Sequence, residues 1–264
     1  MSLNIGRLAG MVLKEMREYR RSPFIVGTML VLPLVFLIEP IIIIFRLGAS
    51  VHPAIVDRSV SATFLLLLIT PVLIPAVLAA YSVVGEREQG TLEPLLTTPI
   101  RRDELLLGKA LGVVVPAVAI SYVVFGIVEL SAHLFASNPE VVVALSQGPH
   151  VLAEFLFAPL LAGWSIWVGI GISTRASEVR VAQQLGTLAS LPALGVVALV
   201  SFDVVTPSFT VAVAFALGLL AADVVMWRVV SAMFDRERLI TGARALRDSS
   251  GDGHAARRGR VQRN

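Results

Sequence analysis

Apolar positions along this chain form six long unbroken runs rather than an alternating or heptad pattern. They extend from Phe24 to about Phe45, about Ala62 to Val84, about Ala110 to Phe135, about Val151 to Ser173, about Leu185 to Phe202 and Phe209 to about Phe234. A helix of about 20 apolar residues crosses a hydrocarbon core of about 30 Å. Each run therefore predicts a transmembrane helix, and the pattern predicts an all-α integral membrane protein with six spans. A β-barrel is excluded, because its strands are shorter and alternate apolar with polar positions. Pro33, Pro40, Pro71, Pro75, Pro116, Pro159 and Pro192 lie inside the runs. Membrane helices tolerate this when neighbours satisfy the freed carbonyls, and kinks are expected near Pro71 and Pro75. The fifth and sixth runs are separated only by Asp203 to Ser208, yet their lengths suit two spans better than a re-entrant pair. The first run follows a basic segment, as a signal peptide would. Its length, its start at residue 24 and the lack of a clean small-x-small site predict a retained span.

Composition agrees. Hydrophobic residues make up 56% of the 264 residues and charged residues 16%, against about 25% charged in soluble domains. So few charges cannot cover a water-facing surface of this size, and disorder would need the opposite balance. There is no cysteine, which removes disulfides, thiolate metal sites and thiol nucleophiles together.

The net charge is +3, and its placement says more than its size. Of the 22 Lys and Arg, 19 lie before the first span, between spans two and three, between spans four and five, or after span six. Arg46 and Arg58 lie on the opposite side, and Arg228 is within the sixth span. By the positive-inside rule both termini are expected in the cytoplasm, and the expected location is the plasma membrane. The chain divides into an interfacial helix at 1–23, a transmembrane domain at 24–234, and a basic tail at 235–264. The tail is expected to be disordered beyond about residue 245 and close to anionic lipid. Its scattered Arg residues do not predict nucleic-acid binding.

Two cytoplasmic pieces have a pattern of their own. Leu8, Met11, Val12, Glu15, Met16 and Tyr19 share one helical face, with Lys14, Arg17, Glu18 and Arg21 opposite. This predicts an amphipathic amino-terminal helix suited to the membrane surface. The loop from Gly85 to Lys109 predicts a short helix capped by Thr91, with Glu93 and Pro94 in its first turn. Leu92, Leu95 and Leu96 make an apolar stripe at i, i+3 and i+4. Such a stripe serves a protein partner or a lipid surface equally well. A second segment starts at Thr98-Pro99 and runs through Asp103, Glu104 and Lys109 into the third span.

The run Glu86-Arg87-Glu88-Gln89-Gly90-Thr91-Leu92-Glu93, then Leu95-Leu96-Thr97-Thr98-Pro99, then Glu104-Leu105-Leu106-Leu107-Gly108-Lys109 resembles the signature loop of the ABC transporter type-two permeases. Arg101 stands where many members carry a small hydroxyl residue. The resemblance covers nearly the whole chain to about residue 240. It implies a six-span membrane subunit with an amino-terminal interfacial helix, its loop forming a coupling helix that docks on a separate ATP-hydrolysing subunit. Carried over, Glu86, Arg87, Glu88, Gly90, Thr91, Leu92, Glu93, Leu95 and Leu96 would form the coupling surface. Thr98, Pro99, Gly108 and Lys109 would shape its return to the membrane. The resemblance also implies a second permease subunit, identical or not, beside the lipid bilayer, and ATP and Mg held by the partner ATPase. This sequence has no phosphate-cradling G-x-x-x-x-G-K-[ST] run, so no cofactor is expected on this chain and any ATPase is another chain.

Ionisable residues inside spans are costly and are functional candidates by default. Glu39, Glu129, Glu154 and Asp223 are therefore the candidate substrate pathway, with Arg228 snorkelling toward the cytoplasm. Glu129 with His133, and His150 with Glu154, are each spaced four apart. Four such groups could hold a divalent metal or relay protons, but nothing in the spacing demands a metal geometry, and local hydrogen bonding near a wet helix end is expected. Trp164, Trp167 and Trp227 are expected to pack or anchor. Gly163, Gly169 and Gly171 suggest close-packing positions, within the chain or at a dimer contact.

These readings together give an exporter permease subunit with no catalytic residue of its own. The alternative is an ion-coupled secondary transporter working through the intramembrane carboxylates. That reading predicts internal repeats, and none is evident between 24–135 and 151–234. An intramembrane enzyme trails both, since no H-E-x-x-H motif is present.

Overall fold

A computed structural model describes residues 5–48, 51–88, 90, 102–201 and 209–233. Among them the chain is helical throughout, with no strand. The first helix, α1 (Ile5–Arg21), is followed by α2 (Pro23–Arg46) and α3 (Pro53–Ala79). A 3-10 turn at Ala80–Ser82 leads into the short α4 (Val84–Glu88). Then come α5 (Arg102–Phe135), α6 (Pro139–Leu145), α7 (Gly148–Ser173), α8 (Val179–Ser201) and α9 (Phe209–Met233). Six helices are long and apolar enough to cross a membrane: α2, α3 with its extension to Glu88, α5, α7, α8 and α9.

The predicted spans correspond to these six, with differences at the ends. The second helix begins at Pro53, well before Ala62, because polar positions such as Asp57, Arg58 and Ser59 continue the helix outside the apolar run. The fifth begins at Val179 rather than Leu185 for the same reason. Helix α6, which hydropathy did not indicate, sits between the third and fourth spans. Its start is local chemistry. Asn138 Oδ1 accepts the Glu140 amide at 3.0 Å, and Pro139 takes a first-turn position where its missing N–H costs nothing. His52 and Pro53 repeat the device at α3, where Nδ1 accepts the Ala54 amide at 3.3 Å.

The spans are unequally buried. Helices α3 and α7 form the centre, and α2 and α9 the periphery. Leu30, Val31, Leu34, Val35 and Ile38 on α2, and Leu217, Leu220, Val224 and Val225 on α9, are exposed apolar side chains. The core has three parts. One joins α1 to one end of the bundle through Met11, Tyr19, Leu78, Leu105, Leu106 and Ile170. A second packs α2, α3, α5 and α6 at the other end. A third packs α3, α7, α8 and α9 around Leu161 and Val72.

Glycine positions let the central helices approach. A Cβ on Gly169 would lie 2.4 Å from Ala79 Cβ, and one on Gly163 would lie 2.6 Å from Asp223 Oδ2. One on Gly171 would meet Val230 Cγ2 at 3.3 Å. All three glycines thus close-pack within the chain. Trp167 is buried in the first core cluster, with Trp227 packed against it, and Trp164 packs against the third. The expectation of packing rather than ligand binding accords with this.

Candidate functional site

The second span does not continue smoothly into the loop that follows. After Ala79 the chain tightens into the 3-10 turn, and Val83 takes φ −125° and ψ −55° before α4 begins. This break leaves backbone groups without helical partners, and buried backbone groups need partners. Ser173, at the end of α7, supplies them: its hydroxyl donates to the Ala80 carbonyl at 2.9 Å and accepts the Val84 amide at 3.1 Å.

The three consecutive residues that close α4 then fan out to different elements. Glu86 is buried and points inward. The Arg87 guanidinium donates to the Ala176 carbonyl in the turn between α7 and α8. The Glu88 carboxylate accepts the Val179 amide at 3.2 Å at the amino end of α8, where the helix dipole favours an anion. Gly90 follows with φ +71°, a left-handed conformation that suits glycine, and its amide bonds the Arg87 carbonyl at 3.2 Å. It turns the chain out of α4. Thr91, Leu92, Glu93, Leu95, Leu96, Thr98 and Pro99 lie outside the described residues. The structure therefore describes the two feet of the loop, α4 and the start of α5.

Those feet meet α1. The expected apolar face of α1 is the buried one, with Met11, Glu15 and Tyr19 innermost. It lies on the chain's own α5. The contact is close because α5 presents Gly108 and Gly112, four residues apart. A Cβ on Gly108 would lie 2.5 Å from Met11 Cγ, and one on Gly112 would lie 2.8 Å from Glu15 Cβ. Small residues at this spacing let two helices approach closely.

A buried ion cluster sits at this crossing. Lys109 is 1% exposed, and its Nζ donates to Glu86 Oε1 at 2.6 Å and to Glu15 Oε1 at 3.3 Å. Lys14 Nζ lies 3.0 Å from Glu18 Oε1, 3.4 Å from Glu15 Oε1 and 3.7 Å from Glu86 Oε1. Tyr19 donates its hydroxyl to Glu15 Oε2 at 3.2 Å. Toward the amino end of α1, Arg7 pairs with the buried Glu104 of α5 at 3.7 Å. Burial pushes the Glu15 carboxyl up, but Lys109 and Lys14 outweigh it and hold the group below its usual range. Burial would also lower Lys14, but Glu15 and its neighbours raise it overall. Burial and the adjacent Glu15 charge hold Tyr19 well above its ordinary value, so it remains a donor. Glu15, Glu18 and Glu86 each bring a carboxylate oxygen within 4.8 Å of the others. Each of these three carboxylates is ion-paired with Lys14 or Lys109, so the cluster is an ion network in this structure.

The pH dependence follows from Glu15. A carboxyl held low in the folded state contributes stability that is present above its unfolded value of about 4.3. That contribution is lost as pH falls through the lower folded value. Thermal stability of the wild type relative to Glu15→Gln is therefore expected to be constant near neutrality. The difference should shrink only below about pH 4. A difference that instead vanished between pH 6 and pH 8 (on the order of the histidine range) would contradict the assignment.

The candidate pathway acids are not gathered together. Glu154 is fully buried and accepts the Ser121 hydroxyl at 2.7 Å. Asp223 lies against Gly163 on another face of α7. Glu129 accepts from Ser146, and its carboxylate is 3.5 Å from His133. Glu39, on the peripheral α2, is partly exposed. His150 bonds the Ala144 carbonyl at 2.9 Å and stacks on Phe64 with centroids 4.5 Å apart. Glu129 and His133 thus meet locally, as their spacing suggested, whereas His150 and Glu154 turn to different partners and Glu154 is fully buried rather than at a wet helix end.

Sequence reasoning named Glu86, Arg87, Glu88 and Gly90 as coupling surface but missed what Glu86 faces. The signals were an acid, Glu15, on an apolar helix face, and a lysine directly after Leu105-Leu106-Leu107-Gly108. The Gly108-x-x-x-Gly112 spacing was a third.

Residues 10–237 match the family model described as "ABC-2 family transporter protein". The chain belongs to the ABC-2 transporter family. Among curated relatives, this ABC-2 chain is 38% identical over 136 residues to a protein named "Probable ABC transporter permease protein NosY" from Pseudomonas aeruginosa. That match covers 50% of this chain and 46% of the relative, so the chain spans about half the length of the curated relative it matches. The family resemblance read from the 86–109 loop is thereby shown. The ABC-2 chain is a multi-pass membrane protein, and the ion cluster lies at the feet of its signature loop.

Proposed function

We propose that this chain is the permease subunit of an ATP-driven exporter of the plasma membrane, with both termini cytoplasmic and ATP and Mg bound on a separate ATPase chain. The observation that carries this is the construction of the loop's feet. Glu86 and Lys109 bracket the loop and are joined directly at 2.6 Å, while Arg87 and Glu88 tie the same foot to the turn before α8. A load applied to residues 89–101 would pass into α3, α5 and α8 together rather than dissipate in a loose hairpin. The printed name of the relative, an ABC transporter permease, supports the same assignment.

In this reading Leu92, Leu95 and Leu96 form the surface that meets the ATPase. Glu86, Arg87 and Glu88 brace it from behind, and Gly90 sets its exit angle. Closure of the ATPase pair on ATP presses the loop and switches access across a pair of permease subunits. The exposed apolar faces of α2 and α9 are available to the bilayer and to that second subunit. The secondary-transporter alternative needs carboxylates that act together, and Glu39, Glu129, Glu154 and Asp223 have separate neighbours here.

The test is purification from native membranes with a cytoplasmic affinity tag. A stoichiometric P-loop ATPase is expected to come with the wild type and to be lost with Leu95→Asp plus Leu96→Asp. Recovery of the permease alone, with ion gradients driving transport in vesicles, would sink the proposal.

A further inference from the structure

We propose that Lys109 is a positioning residue whose ammonium group fixes α1 to both feet of the 89–101 segment, so that the three move as one body. This deepens the coupling reading and rests on it only for the force that moves the body.

The argument starts from the surface on which α1 lies. Gly108 and Gly112 set how closely α1 approaches α5, and the Arg7–Glu104 pair holds its amino end. Apolar burial by Met11 and Tyr19 is non-directional and sets closeness rather than register. A hydrogen-bonded charge is directional. Lys109 Nζ meets Glu15 of α1 and Glu86 of α4, so one cation on α5 fixes two other elements at once. Around it, helix α1 contributes Lys14, Glu15, Glu18 and Tyr19, and α4 contributes Glu86. At 1% exposure, Lys109 exchanges little with water, and removing one partner of a buried pair leaves the others uncompensated. The consequence is that α1 travels with the loop's feet instead of resting independently on the membrane.

The absence of native cysteine makes this measurable with site-specific spin labels. Gly10→Cys on α1 and Val123→Cys on α5 are exposed positions outside the cluster. The full chain would be labelled at both and placed in phospholipid nanodiscs for pulsed-dipolar distance measurement. A single narrow distance is expected with Lys109, and a broad or multiple distribution with Lys109→Met, which keeps apolar bulk but not charge. Lys109→Arg, which keeps the charge, is expected to restore the single distance. If Lys109→Met does not yield folded protein, Glu15→Gln removes one arm of the junction and is expected to broaden the same distribution. A narrow distance in Lys109→Met or Glu15→Gln, or a broad one in Lys109→Arg, would overturn the proposal. The measurement uses the permease without any ATPase. A failure of co-purification would therefore count against the coupling reading alone and leave this result readable.

Discussion

Gly169→Leu is expected to abolish recovery of folded, monodisperse permease. At Gly169 three helices meet backbone to backbone. Its hypothetical Cβ lies 2.4 Å from Ala79 Cβ and 3.7 Å from the Ala76 carbonyl oxygen. Gly186 of α8 closes the third side, its own Cβ position falling 3.3 Å from that same oxygen and 3.7 Å from Gly169 Cα. Ala76 and Ala79 are fully buried, so neither α3 nor α8 can give way by moving a flexible side chain. Overpacking a filled core costs about 1–3 kcal/mol, and more where backbones must separate. A net stability of about 5–15 kcal/mol leaves limited room for that. Size-exclusion profile and thermal midpoint are the measurements. Gly218→Leu is the control, because Gly218 has nothing within 4 Å of its Cβ position and is exposed on α9. Equal recovery of the two variants would show that α3, α7 and α8 do not cross as closely as described.

Gly108→Leu is expected to free α1 while leaving the six-span bundle folded. The added side chain would enter the space of Met11, whose Cγ and Cβ lie 2.5 Å and 2.7 Å from the Gly108 Cβ position. Met11 is on α1, a peripheral element that can lift away, so the cost falls on docking rather than on the fold. A docking penalty of about 1–3 kcal/mol raises the open population by a factor of about 5 or more. Trypsin has Arg7, Lys14, Arg17, Arg20 and Arg21 in this helix. The rate of cleavage there should rise by about that factor, with an unchanged thermal transition for the remainder. An unchanged cleavage rate would mean that α1 is not held by this crossing.

These two glycines show different degrees of legibility. Gly169 was marked in the sequence, together with Gly163 and Gly171, because small residues within an apolar run have little use except close approach. Its partner was not marked, since Ala79 lies in another span and nothing local relates them. Gly108 was read as shaping the loop's return to the membrane. That it also receives α1 depends on a helix about a hundred residues earlier. The acidic residues behaved similarly. That Asp223 would be buried followed from its place within an apolar run, whereas Glu154, expected near a wet helix end, is fully buried. That Glu154 would meet Ser121, and Asp223 would meet Gly163, did not follow from the sequence.

Taken by itself, the sequence determined six membrane-crossing helices, the buried face of α1, the Glu129–His133 contact, and the family, through the spacing of residues 86–109. These are properties of short windows: apolar run length, helical periodicity, i to i+4 neighbours and a contiguous motif. The tertiary structure alone decided that α1 lies on α5, that Ser173 mends the break after Ala79, and that Glu15, Glu86 and Lys109 form one junction. Glu15 and Lys109 are 94 residues apart and Glu86 and Lys109 are 23 apart. A charge in an apolar setting announces that it needs a partner, because burying it alone is too costly. Which partner it finds depends on how the helices pack, and that is settled by the shape of the whole bundle.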